Sequence, residues 1–193
     1  MVFYYLSAMK KLFFLFCVGM WLFSCKAQQP LPLNTPLLDI PANAYVKDTN
    51  NELPLYTGTY KSIYQGNEIT LYITFVANKF RKSSNKSFYR DALVIKYVVK
   101  NSNGQILQDT QNLNVPDIEL YSTGTWPSKN IVEFFYTGTH CLVGWGGVEL
   151  KKISPTQISW SYIQEESVRK DCPPGTDTTV YLPAVDNLIF TKQ

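Results

Sequence analysis

Few residues in this chain have the types and spacing for chemistry. His140 is the only histidine among 193 residues, and it lies next to Cys141. A cysteine–histidine nucleophile pair needs side chains that meet, yet neighbours on a strand point to opposite faces. A metal held by His140, Cys141, Asp171 and Cys172 would require free thiols, and the chain shows no ligand-rich spacing to support one. Glu165-Glu166 sits in a polar run with Arg169, Lys170 and Asp171, the pattern of a solvated loop or short helix face. Asp117 and Glu119 share a strand face, but nothing in the sequence marks either as buried. Gly144-Trp145-Gly146-Gly147 is not followed by the Lys-Ser/Thr and helix of a phosphate loop, so it reads as a hairpin or bulge. No catalytic set, metal or cofactor is expected from these residues.

Aromatic residues are the one class in excess, at 15% of the chain. Rings with polar tips suit half-buried cores, and they also suit cavities that stack on sugars or apolar molecules. Most are expected in the core, and the three expected to line any cavity are Tyr60, Trp126 and Trp160.

The chain has four cysteines, and the position of one is informative. Lys10-Lys11 followed by the apolar run from Leu12 to Phe23 is the layout of a secretory signal, with Met9 the expected start. As a helix that run spans about 18 Å, short of the ~30 Å hydrocarbon core of a bilayer. Leu22-Phe23-Ser24-Cys25 resembles the lipobox of bacterial lipoproteins, with an aliphatic residue three places before the cysteine and a small one directly before it. The resemblance implies removal of residues 1–24 and a diacylglycerol thioether on Cys25. Two or more acyl chains hold a protein stably to a membrane. Cys17 leaves with the leader and Cys25 is acylated, so Cys141 and Cys172 remain as a pair. In an oxidising envelope compartment such a pair is expected as a disulfide. Lys10 and Lys11 also leave, so the precursor's formal charge of +3 falls close to neutral, which gives no footprint for nucleic acid.

The elements that would position these residues are mostly strands. Residues 25–44 carry Pro30, Pro32, Pro36 and Pro41 and read as an extended stalk, the alternative being that Leu37, Leu38 and Ile40 dock on the domain. From 45 to 193 period-two patterns dominate. Ile69, Leu71, Ile73 and Phe75 alternate with polar residues, and Leu93, Ile95, Tyr97 and Val99 do the same. Gln65-Gly66-Asn67 and Ser102-Asn103-Gly104-Gln105 supply tight turns. Further strands are expected over 56–64, 105–110, 118–125, 131–137, 148–153, 157–163 and 188–191. Only 45–53 and 164–169 could be helical. Thr-Gly-Thr occurs at 57–59, 123–125 and 137–139, where glycine permits a bulge or a close approach. The connections are too short for crossovers, so the expected fold is an all-β, antiparallel up-and-down barrel or sandwich of about 8–10 strands.

Gly58-Thr59-Tyr60 resembles the Gly-x-Trp that opens lipocalin barrels, with tyrosine in place of tryptophan, and implies a barrel with an apolar interior. More of the chain is covered by a second likeness. "SCKAQQ", "NAYVKDTNNELPLYTGTYK", "DCPPG" and "LIFTKQ" resemble a family of small, functionally uncharacterised lipoproteins from Bacteroidota-type bacteria. That likeness implies an envelope location, Cys25 as the lipid site, Cys141 paired with Cys172, and no catalytic residue. Lys26-Ala27-Gln28-Gln29 carries no acidic signal for surface export, so the periplasmic face of the outer membrane is favoured. The expected function is a membrane-tethered protein that binds a small apolar ligand, a glycan or an envelope protein. The alternative is an envelope hydrolase or metal-dependent enzyme using His140.

Overall fold

The computed structural model describes residues 29–83, 85–112, 118–165 and 172–193; the leader and Cys25 lie outside them. The described residues form ten strands: β1 (Tyr45–Val46), β2 (Gly58–Tyr64), β3 (Asn67–Lys82), β4 (Ser87–Lys100), β5 (Ile106–Asp109), β6 (Leu120–Trp126), β7 (Ile131–Tyr136), β8 (Gly146–Ser154), β9 (Gln157–Gln164) and β10 (Leu188–Lys192). Eight of them close an antiparallel barrel, running β2-β3-β4-β6-β7-β8-β9-β10 and returning to β2 through Thr191↔Lys61. Closure between β4 and β6 is made at Val94↔Tyr121. The free edge of β4 takes three partners in succession: β1 at Tyr89 and Arg90, β6 at Val94, and β5 at Val98 to Lys100. This is an up-and-down barrel of the lipocalin kind.

The alternation explains the architecture. Ile69, Leu71 and Ile73 of β3, Leu93, Ile95, Tyr97 and Val99 of β4, and Phe134 and Tyr136 of β7 are buried together in one core. Strand pleating places every second side chain on this inner face. Eight strands leave an interior that side chains can fill. Trp160, Tyr60, Tyr97, Tyr136 and Phe190 are the largest of the fully buried side chains. The phenol of Tyr97 donates to Gln108 Oε1 (2.8 Å) and lies 2.9 Å from the Tyr136 hydroxyl; Gln108 in turn donates to Thr139 Oγ1 (3.0 Å). Burial of these rings thus leaves their hydroxyls paired, as an apolar interior demands.

The turns follow the local sequence. Gln65 and Gly66 both have positive φ, 48° and 80°, the primed turn that matches strand twist between β2 and β3. At the β4–β5 connection only Gly104 is left-handed, and Asn101 Oδ1 accepts from the backbone of Asn103 and Gln105, so the turn is built by a side chain.

Three sequence expectations need correction. The packed body begins before Tyr45. Leu31 forms a parallel bridge with Val46, and Leu33, Ile40 and Ala44 belong to the core. Of the aliphatic residues expected to dock or hang free, Ile40 is buried while Leu37 and Leu38 are exposed. Lys86 holds this segment by donating to the carbonyls of Leu37, Leu38 and Ile40. Residues 45–53 are not a helix. Tyr45–Val46 is a strand, and only a single 3-10 turn, Leu53–Tyr56, follows. Its start is set by Asp48, whose carboxylate accepts from the backbone of Glu52 and Leu53. Finally, Phe75 keeps its register opposite Leu93 but is 41% exposed, so the buried row of β3 ends at Ile73, ahead of the bulge between Val76 and Lys79. The other helix expectation, 164–169, falls mostly outside the described residues.

Cys141 and Cys172 form a disulfide across 31 residues. It ties the β7–β8 connection to the segment that precedes β10. Cys141 and Leu142 both adopt left-handed backbone, at φ 61° and 60°, a conformation that L-residues take at a cost.

Candidate functional site

Two bulges create the site. Between Val76 and Lys79 strand β3 advances three positions while β4 advances two, from Ala92 to Arg90. One extra residue reverses the facing of everything beyond it. Lys79 and Arg81 therefore stand opposite Arg90 and Phe88, on the outer face of the hairpin. The second bulge lies in β6 between Ser122 and Gly124, within the second Thr-Gly-Thr, and leaves Thr123 unpaired with β7. Its carbonyl accepts a hydrogen bond from Arg90 Nη1.

Between these bulges lies a cleft of about 250 Å³, lined by Arg81, Lys82, Phe88, Arg90, Tyr121 and Phe135, with Leu37 from the N-terminal segment at its rim. Its two arginines differ in kind. Arg81 stacks on Tyr121, with Cζ 3.6 Å from the ring centroid, and lies 3.8 Å from Glu119. Glu119 is shared with Lys79 at 3.3 Å. Arg90 is 4% exposed and has no carboxylate partner among the described residues. Its Nε is buried without a hydrogen-bond partner among the described residues. Burial, followed by the nearby charge of Arg81, lowers the Arg90 guanidinium from its ordinary value to about 10. Burial pushes the Tyr121 phenol up, with Arg81 acting in the opposite direction.

On the other face of β4, Asp91 is equally buried but well served. It accepts from the Tyr45 hydroxyl, from the backbone of Asp48 at 3.0 Å and from Asn78 at 2.9 Å. The β3 bulge at Asn78, which has φ 55°, thus supplies a donor to one buried charge. Among the described residues Arg90 has no matching acceptor for its Nε.

The structure scatters the residues expected at a site. Tyr60 and Trp160 are fully buried in the barrel, Trp160 donating from Nε1 to Pro183 O at 2.9 Å. They are core residues and share no surface with Trp126. Trp126 is half exposed and lines a second groove, of about 510 Å³, with residues 33–37, Ser128 and Glu133. Leu37 and Thr123 line both this groove and the arginine cleft, so the two adjoin.

His140 opens the short turn His140–Leu142 beside the disulfide, which consumes the Cys141 and Cys172 sulfurs. No hydrogen bond joins His140 to a carboxylate among the described residues. Asp177 accepts from Thr179 N and the Tyr181 hydroxyl, each at 2.9 Å. Hydrogen bonds from Thr179 are the main cause of the lowered Asp177 value. Glu165 follows β9 and its backbone bonds Trp145 O; Asp117, Glu166 and Asp171 lie outside the described residues. Among the described residues no three of His, Cys, Asp and Glu converge as a metal would require.

Sequence reasoning missed Arg81, Arg90 and Tyr121. One signal was present: Asp91 falls on the inward row of Leu93, Ile95, Tyr97 and Val99, and a carboxylate there announces a buried polar arrangement. Nothing in the sequence announced Arg90, since even positions of that strand would face water in a plain barrel.

No curated protein and no solved structure matches this chain. A family model does match, over residues 9–193, and the chain therefore belongs to a family of unknown function (DUF6705).

Proposed function

We propose that this chain is a lipid-anchored cell-envelope protein of Bacteroidota-type bacteria that binds a ligand and performs no catalysis. Residues 1–24 act as its leader, and acylated Cys25 holds it to the periplasmic face of the outer membrane. The anchor rests on the lipobox likeness and on the basic and apolar regions before it. The barrel turns its apolar rows inward, the reverse of a membrane-spanning barrel, which suits a domain held beside the bilayer by a tether.

The observation that carries the binding reading is the cleft around Arg81 and Arg90. It is concave and mostly apolar, and it holds a buried polar group whose hydrogen bonding is incomplete within the described residues. Pockets that fix a ligand combine an apolar lining with a few placed polar groups. A cavity enclosed by Tyr60 and Trp160 is not part of this reading, because those rings pack in the core.

Two measurements test the proposal. Mass spectrometry of the N-terminal peptide from membrane fractions should find a diacylglycerol-modified Cys25, absent in Cys25→Ala; an unmodified Cys25 in membranes contradicts the anchor. Native mass spectrometry of protein purified from membranes should find a retained small molecule that is lost in Arg81→Gln. Equal retention in that variant contradicts the cleft as the binding site.

A further inference from the structure

Arg90 is the buried ionisable group whose environment is least complete. One terminal nitrogen of its guanidinium bonds Thr123 O, and its Nε–H has no acceptor among the described residues. A buried cation without a counter-charge is costly, and a second cation beside it adds to the cost. Arg81 is that second cation, and Glu119, the acid nearest it, is divided between Arg81 and Lys79. Lys82 lines the same cleft and adds to the positive excess. A barrel under no other demand would place a carboxylate here or an apolar side chain instead.

We propose that the cleft binds a small amphiphile whose anionic head, a carboxylate or a phosphate monoester, pairs with Arg90 and Arg81, and whose apolar body lies against Phe88, Tyr121, Phe135 and Leu37. This rests on the binding reading above and names its ligand class. Guanidinium groups match both oxyanions through paired N–H donors, and such charge-assisted bonds are the strong ones. The cleft's size sets the scale of the body. About 250 Å³ is just below the ~300 Å³ at which pockets for drug-sized ligands begin, so a short chain or single ring fits. Arg81 is already held flat on Tyr121, so less side-chain freedom is lost when it meets an anion. Lys86 fixes the segment that carries Leu37 by donating to the carbonyls of Leu37, Leu38 and Ile40, so this part of the lining is held in place.

The test uses whole protein purified from membranes in mild detergent, titrated calorimetrically with hexanoate, hexyl phosphate and hexanol against a detergent blank. At least one anion should bind about tenfold or more tightly than hexanol, and the stronger of the two identifies the head group. Anion binding should weaken about tenfold in Arg81→Gln and vanish in Arg90→Met. If Arg90→Met fails to fold, Arg81→Gln decides. Hexanol binding as tightly as both anions overturns the anionic head while leaving the binding reading intact. Anion affinities unchanged in Arg81→Gln, or no binding by any probe, also overturn it, and retention of a native ligand then judges the binding reading separately.

Discussion

The barrel interior and the outer cleft of the β3–β4 hairpin both bury polar groups, but they treat them differently. Inside, Tyr97, Tyr136, Gln108 and Thr139 form a chain in which each hydroxyl or amide meets a partner. Outside the barrel, Arg90 is buried to the same degree with its Nε unpaired and a second arginine nearby. Satisfied networks fix a fold, whereas an unsatisfied buried charge is tolerated where it serves something beyond the fold. On the proposed reading, the contrast separates stability from ligand binding in this molecule. Changes in the interior should alter melting and leave ligand retention alone, and changes in the cleft should do the reverse.

The largest expected effect is on the interior side. Trp160→Ala removes a fully buried ring that contacts Tyr162 and Phe190, and should cost about 3–5 kcal/mol in urea unfolding. Replacing both Cys141 and Cys172 by alanine releases a loop closed across 31 residues and should cost about 3–4 kcal/mol in the chain-entropy account. Neither variant, while folded, should lose the cleft's ligand; loss in both would mean that the two regions are not separable.

The interior also fixes a pH response. Burial raises the phenols of Tyr97, Tyr136 and Tyr162, and raises Tyr56 to about 12 from an ordinary 10.0. A group whose folded value exceeds its unfolded one contributes stability that is complete below the unfolded value and is lost as pH rises through the folded one. Unfolding midpoints should thus hold steady up to about pH 10 and fall between about 10 and 12, the last part of the phenolate absorbance, from the buried rings, appearing with unfolding. Phenolate absorbance reaching the full amplitude of all the tyrosines well before unfolding would contradict the packing described for these rings. Smaller still is Tyr136→Phe, which deletes one partner of Tyr97 but leaves its bond to Gln108, and should cost about 1 kcal/mol.

The sequence displayed the barrel more clearly than the site, and the reason is periodicity. Ile69, Leu71 and Ile73 announce an inward row because strand side chains alternate without exception until a bulge intervenes. The bulge after Val76 ends that rule. It turns Arg81 toward Phe88 and Arg90, and counting positions from Ile73 would have put it on the wrong face. The Thr-Gly-Thr at 123–125 did mark a bulge, as its glycine suggested, but not that the freed Thr123 carbonyl would meet an arginine 33 residues away. Prolines at 30, 32, 36 and 41 suggested an extended stalk, with docking of Leu37, Leu38 and Ile40 as the alternative. Proline excludes helix without excluding burial, and Leu33 and Ile40 between them pack into the core. Tyr60 and Trp160 were the attractive cavity residues because of their size, and size is also what an eight-stranded interior needs to be filled. Trp126 alone of the three reached a groove, and that groove adjoins the arginine cleft.

The most direct test is the melting temperature of the wild type and Arg90→Met, each alone, with hexanoate and with hexyl phosphate. Arg90→Met removes a buried, under-paired charge for an apolar chain of similar length, so it should melt at or above the wild type without ligand and be unmoved by either anion, at least one of which should raise the wild type. A wild type indifferent to both anions, together with an Arg90→Met that melts far lower, would make Arg90 a structural residue and contradict the account.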